Sequence, residues 1–175
     1  SWYIMGLQQV STVTVTSAVA SVFLTGIDDN SVYKCVVNNA SNASGDYQLR
    51  MRVANSSTQD SAANYDYAGQ QIRTTTFGDN AVPNATFFGA TTTGTSANEG
   101  QNYVFYFFNW CDDSTFSSWT FEEVSFDSNP RLTGDTGGGR FDQAERHDSV
   151  RFFTGSSVSS EFDTTQGTFT LYKVV

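Results

Sequence analysis

Hydrophobic and polar residues alternate along most of this chain in short runs. Residues 10–16 show the pattern most cleanly: Val13 and Val15 fall on one side, Thr12, Thr14 and Thr16 on the other. That period of two belongs to a strand with one buried face. Residues 46–54 repeat it, with Tyr47, Leu49, Met51 and Val53 facing one way and Gln48, Arg50 and Arg52 the other. Further runs fall at 2–5, 20–25, 32–38, 65–74, 85–90, 102–110, 119–127, 150–153 and 168–174, separated by clusters of Asn, Asp, Gly and Ser. Residues 32–38 are apolar on both faces and read as a central strand; 102–110 is the most hydrophobic stretch and reads as buried on both sides. The phase of 119–127 changes at Glu122-Glu123, the mark of a bulge or an edge. Residues 91–100 and 133–139 read as loops, the first at a surface tip, and Gly137 to Gly139 as a flexible turn. Residues 142–148 have the chemistry for a single helical turn, and Pro83 and Pro130 sit in loop positions.

These runs predict about nine to eleven short strands and no long helix. The expected fold is all-β: one domain over residues 1–175, an antiparallel β-sandwich of jelly-roll type with its core centred on Val104, Phe105, Tyr106, Phe107 and Phe108.

Composition narrows the function. The chain has 175 residues, nine basic against eighteen acidic side chains, and a net charge of −9. Only 15% of residues are charged, against about 25% in an average domain, and Ser and Thr fill much of the difference. An acidic chain with two lysines has little grip on a phosphate backbone, so no nucleic-acid partner is expected. No apolar run approaches the roughly 20 residues of a membrane helix, so no membrane partner is expected either. Residues 1–7 lack the basic and apolar regions of a secretory leader. Cys35 and Cys111 stand far apart outside any CxxC motif and read as buried free thiols. Asn-x-Ser/Thr triplets at Asn39, Asn42, Asn55 and Asn84 are no more frequent than composition supplies.

No catalytic set emerges. His147, the one histidine, lies in Glu145-Arg146-His147-Asp148 and reads as a solvated loop residue. The Gly run is followed by Arg140, which excludes a phosphate-binding loop. The doublets Asp112-Asp113 and Glu122-Glu123 flank Trp119 and could supply a glycosidase pair. Neighbours on a strand point to opposite faces, however, so neither doublet is itself such a pair. Asp28, Asp29 and Asn30, or Asp112 and Asp113, could contribute to a calcium site, but neither group has EF-hand spacing, and no cofactor is expected. A glycan platform would draw on Trp110 and Trp119 with Asp112 and Asp113, with Tyr65 and Tyr67 as further aromatic candidates.

The two ends of the chain carry a resemblance. The start has Trp2-Tyr3-Ile4, then Phe23-Leu24-Thr25-Gly26-Ile27-Asp28; the end has Gly167-Thr168-Phe169-Thr170-Leu171-Tyr172-Lys173. This combination resembles small β-rich proteins of tailed bacteriophages, especially those of marine bacteria and cyanobacteria, although Lys173 stands where a Gly is usual. The resemblance covers the two ends and not the middle. It implies a non-enzymatic virion protein: a capsid decoration (cement) protein that binds the major capsid protein on the outer surface of the shell and is assembled in the host cytoplasm. The alternative it implies is a glycan- or receptor-binding module of a fibre. A homotrimer is expected, with Trp2, Tyr3, Phe87 and Phe88 as candidate interface residues buried between subunits.

Overall fold

In a computed structural model, residues 6–43, 47–96, 98–129, 131–157 and 160–175 are described. They form fourteen strands and, among the described residues, no helix. In chain order these are β1 Leu7–Val15, β2 Val22–Thr25, β3 Tyr33–Asn42, β4 Gln48–Asn55, β5 Thr58–Gln59, β6 Tyr65–Arg73 and β7 Phe77–Ala85. They continue with β8 Phe88–Gly89, β9 Gln101–Phe108, β10 Ser118–Phe126, β11 Leu132–Phe141, β12 Ser149–Ser157, β13 Ser160–Phe162 and β14 Thr164–Val174. Eight strands make one sheet in the order β1-β14-β3-β9-β10-β11-β6-β7. The other six make a smaller sheet in which β12 and β4 are central. Every pairing is antiparallel, and the two sheets pack face to face as a sandwich.

The buried layer is aromatic. From the large sheet come Tyr103, Phe105 and Phe107 of β9 and Trp119 and Phe121 of β10; from the small sheet come Leu49, Met51 and Val53 of β4 and Val150 and Phe152 of β12. Phe105 meets Phe152 across the gap with ring centroids 5.8 Å apart. Phe88, on the two-residue strand β8, inserts its ring against Phe121 at 4.7 Å and Trp119 at 5.7 Å. Such edge-on contacts add to the burial of large apolar areas. β3 is central as expected, lying between β14 and β9.

Several local expectations are corrected. β9 is buried on one face only: Tyr103, Phe105 and Phe107 point inward while Tyr106 is 37% exposed. Its outward residues are apolar without being covered, which is why composition misrepresented it. β10 carries no bulge and is no edge: it pairs in unbroken register with β9 and β11, with Glu123 and Ser125 inward and Val124 outward. The Glu doublet mimics a phase change because a carboxylate occupies a core position. Residues 142–148 form an irregular loop with bends at 142, 143 and 148, not a helical turn, and Thr91, Thr93 and Glu99 of the stretch expected at a tip are buried against the body. β7, containing Pro83, is an edge strand, the position where a missing N–H is tolerated.

The glycine run is not a turn. Gly137, Gly138 and Gly139 lie inside β11, paired on one side with Phe121, Thr120 and Trp119 and on the other with Gly69, Ala68 and Tyr67. A Cβ at Gly139 would stand 2.4 Å from the indole of Trp119, and one at Gly137 would stand 2.1 Å from the carbonyl oxygen of Ala68. Close approach of ring and backbone therefore selects glycine here. Gly137→Ala, whose nearest neighbours are backbone atoms, is expected to cost about 2–3 kcal/mol in urea unfolding. Gly78→Ala, whose nearest neighbour is the flexible Gln71 side chain at 3.6 Å, should be close to neutral.

Candidate functional site

The most developed polar arrangement is sealed between the sheets. Strand alternation on β10 sends Trp119, Phe121, Glu123 and Ser125 inward, so a carboxylate enters the core by register. Glu123 is 4% exposed. Its Oε1 accepts hydrogen bonds from Thr91 Oγ1 at 2.6 Å, Ser125 Oγ at 2.6 Å and Gln101 Nε2 at 3.1 Å, and its Oε2 accepts one from Thr91 N–H at 3.1 Å. Gln101 Nε2 also donates to the Thr91 carbonyl at 2.6 Å, and Gln101 Oε1 accepts from Leu49 N–H of the small sheet at 2.6 Å. Thr133 Oγ1 lies 3.4 Å from Thr91 Oγ1. Burial raises the Glu123 pKa above the usual carboxylate value, and these donors oppose that rise.

Asp135 is the cross-strand partner of Glu123 and is fully buried. Its Oδ2 accepts a hydrogen bond from Asn80 Nδ2 at 3.3 Å; its Oδ1 has no hydrogen-bond partner among the described residues and lies over Gly69, where a Cβ would come within 2.2 Å of it. Desolvation raises its pKa too. The buried hydroxyl of Tyr103 lies against Glu123 without a hydrogen bond of good geometry. Glu123 and Asp135 stand opposite each other on neighbouring strands, and burial raises the pKa of both.

His147 is a correction. It is 1% exposed, with its ring edge-on to Phe141 at 5.1 Å and its Nδ1 3.0 Å from Ser117 Oγ. Its backbone N–H donates to the Trp110 carbonyl at 2.7 Å, which draws the side chain under the loop. Charged neighbours in sequence concealed this inward turn. Desolvation lowers its pKa from 6.5 to about 4. The Ser117–His147 pair has the atoms of a nucleophile and base, but Ser117 is fully buried and no substrate reaches it.

The expected glycan platform does not form. Trp110 and Trp119 are 0% and 2% exposed, and the Trp110 indole N–H donates to the Ser149 carbonyl at 3.0 Å. Asp112 and Asp113 remain at the surface, where Asp112 accepts hydrogen bonds from the backbone and hydroxyl of Ser114 and from Asn30. Phe88 is likewise core, not interface; Phe87 is half-buried, with the Arg50 guanidinium 4.0 Å from its ring centre. Trp2 and Tyr3 lie outside the described residues. Asp28 and Asp29 are engaged by Tyr33 and Lys173, and no group of three metal-ligating side chains occurs among the described residues. Cys35 and Cys111 are free thiols, but only Cys35 is fully buried.

The polar face expected for β4 is covered. Arg50, Arg52 and Arg151 pack with Phe87 and Phe153, and Glu161 bridges Arg52 and Arg151. Guanidinium–ring stacking lets such side chains be buried, which alternation alone does not reveal.

The open surface is the outer face of the large sheet. Val36, Val104, Val124, Ile72, Glu122 and Thr136 lie along a trough of about 680 Å³ there, whose lining also takes in the inward-facing Val37, Tyr103, Glu123 and Asp135. Tyr106 stands beside it with Lys34 Nζ 5.7 Å from its ring centre. No family model, no curated protein and no solved structure matches the chain.

The buried titratable groups set opposing pH dependences. His147 has a lowered folded pKa, so its neutral form stabilises the fold above pH 6.5, and that contribution, roughly 3 kcal/mol, is lost as pH falls toward about 4. Asp135 has a raised folded pKa, so it favours folding at low pH and disfavours it as pH rises above 3.8. Asp135→Asn is expected to raise stability at pH 7, and His147→Gln to flatten the loss between pH 6.5 and about 4, both read by denaturant unfolding across pH.

Proposed function

We propose that this chain is a structural subunit of a bacteriophage virion, a decoration protein that binds the outer surface of the capsid shell and stabilises it. The observation that carries the reading is the outer face of the large sheet, where the valine, threonine and tyrosine side chains Val36, Val104, Val124, Thr120, Thr136 and Tyr106 lie together with Lys34 and Glu122 between them. Open apolar areas of this kind mark protein contacts. A subunit that binds the assembled shell and not its free parts stabilises the shell by mass action.

The residues that carry the phage resemblance support the same reading at the level of fold. Leu24, Ile27, Phe169 and Leu171 are all buried, so the motifs specify a sandwich and not a reaction. A homotrimer belongs to the proposal. Its contacts would fall at the free edges β1 and β7 of the large sheet, where Phe77 is 75% exposed.

The exposed Tyr106 ring favours one second reading, a glycan-binding fibre module using this face in place of the tryptophans. Shells lacking the protein separate the two. Under the leading reading the purified chain binds them in fixed ratio to the major capsid protein and raises the temperature of shell disruption. Val124→Asp, at a position 45% exposed, then abolishes binding while changing the chain's own stability by less than about 1 kcal/mol. Absence of shell binding, with retention on host polysaccharide lost in Tyr106→Ala, would replace it with the second.

A further inference from the structure

We propose that Thr91 and Gln101 become joined by an intramolecular ester, formed by the chain itself with Glu123 as the acid–base group. The inference does not depend on the virion reading. It rests on one carboxylate oxygen touching both reacting groups. Glu123 Oε1 accepts the Thr91 hydroxyl at 2.6 Å and the Gln101 amide nitrogen at 3.1 Å. That nitrogen also donates to the backbone carbonyl of Thr91 at 2.6 Å, so the Gln101 amide is held beside the residue that carries the hydroxyl.

The chemistry follows from those contacts. Glu123 removes the proton from Thr91 Oγ1 as that oxygen attacks Cδ of Gln101. The Leu49 N–H, already 2.6 Å from Gln101 Oε1, stabilises the negative charge that develops on it. Glu123 then delivers the same proton to the amide nitrogen as the Cδ–N bond breaks, and ammonia leaves. One C–O bond forms, one C–N bond breaks, one ammonia is released, and nothing is oxidised or reduced. Burial suits each step. Thr91, Gln101 and Glu123 are 5%, 1% and 4% exposed, so water competes poorly for Cδ. Desolvation also makes Glu123 a stronger base than a surface carboxylate.

A hydrogen-bonded network alone would explain the buried donors. It does not require that the hydroxyl, the amide and the carboxylate meet at one atom, with a further N–H on the amide oxygen. A cross-link here would fasten the folded segment 91–100 to β9 at the point where the two sheets are joined.

Intact-mass measurement of the full chain, aged at neutral pH, tests the proposal. The expected mass is that of the sequence less one ammonia. Thr91→Val and Glu123→Gln should restore the full mass, while Thr91→Ser, which keeps the hydroxyl, should retain the loss. After denaturation, cleavage by a glutamate-specific protease at Glu99 and Glu122 should leave fragments 1–99 and 100–122 joined, and hydroxylamine, which opens esters, should separate them. A wild-type chain that keeps its full mass overturns the proposal, whatever the variants do. So does a loss of ammonia that persists in Thr91→Val, which would place the reaction elsewhere.

Discussion

A buried carboxylate organises the polar link between the two layers of this sandwich. Glu123 enters the core because it occupies an inward position on β10, and once there it needs donors from every side. It obtains them from Thr91, Ser125 and Gln101, and Gln101 in turn accepts the Leu49 N–H of the opposite sheet. The segment 91–100, which composition marks as a loose loop, is drawn inward by the same demand: Thr91 must face Glu123, and the Thr93 hydroxyl bonds to the Phe126 carbonyl at 2.9 Å. Connection between the sheets therefore has a directional polar element as well as an aromatic one.

The aromatic layer provides bulk and the polar groups provide registration. Phe88, Phe105, Phe121 and Phe152 fill the space between the sheets through edge-on and tilted contacts that tolerate small shifts. The Glu123 network tolerates none, because a shift of one residue would turn Glu123 outward and Val124 inward. The same alternation explains why Asp135 must be buried beside it: the uninterrupted β10–β11 register puts the two acids opposite one another, and Gly69 leaves room for the second.

The outward side of the large sheet carries the functional reading. Gly134 and the short side chain of Thr136 leave β11 low beside Val124 of β10, and Val104 and Val36 continue the apolar surface across β9 and β3. A face of this composition is suited to packing against another protein surface, whereas the residues first drawn to a binding role, Trp110 and Trp119, serve the core.

Strand content, antiparallel class and most strand positions were legible in the chain, because period-two alternation and turn residues act locally. The inward row of β4, the central place of β3 and the burial of Phe169 and Leu171 follow directly from that pattern. Tertiary structure alone decided which exceptions to the pattern were real. A glycine run became a strand because neighbouring backbone and the Trp119 ring come too close for any Cβ. A charged loop delivered a buried histidine because its backbone bonds to Trp110. Arg50 and Arg52 on a polar face were covered because the rings of Phe87 and Phe153, from distant segments, stack on them. The meeting of Thr91, Gln101 and Glu123 also lay beyond sequence. It depends on long-range register and on a hydrogen bond from the opposite sheet, and neither leaves a local signature.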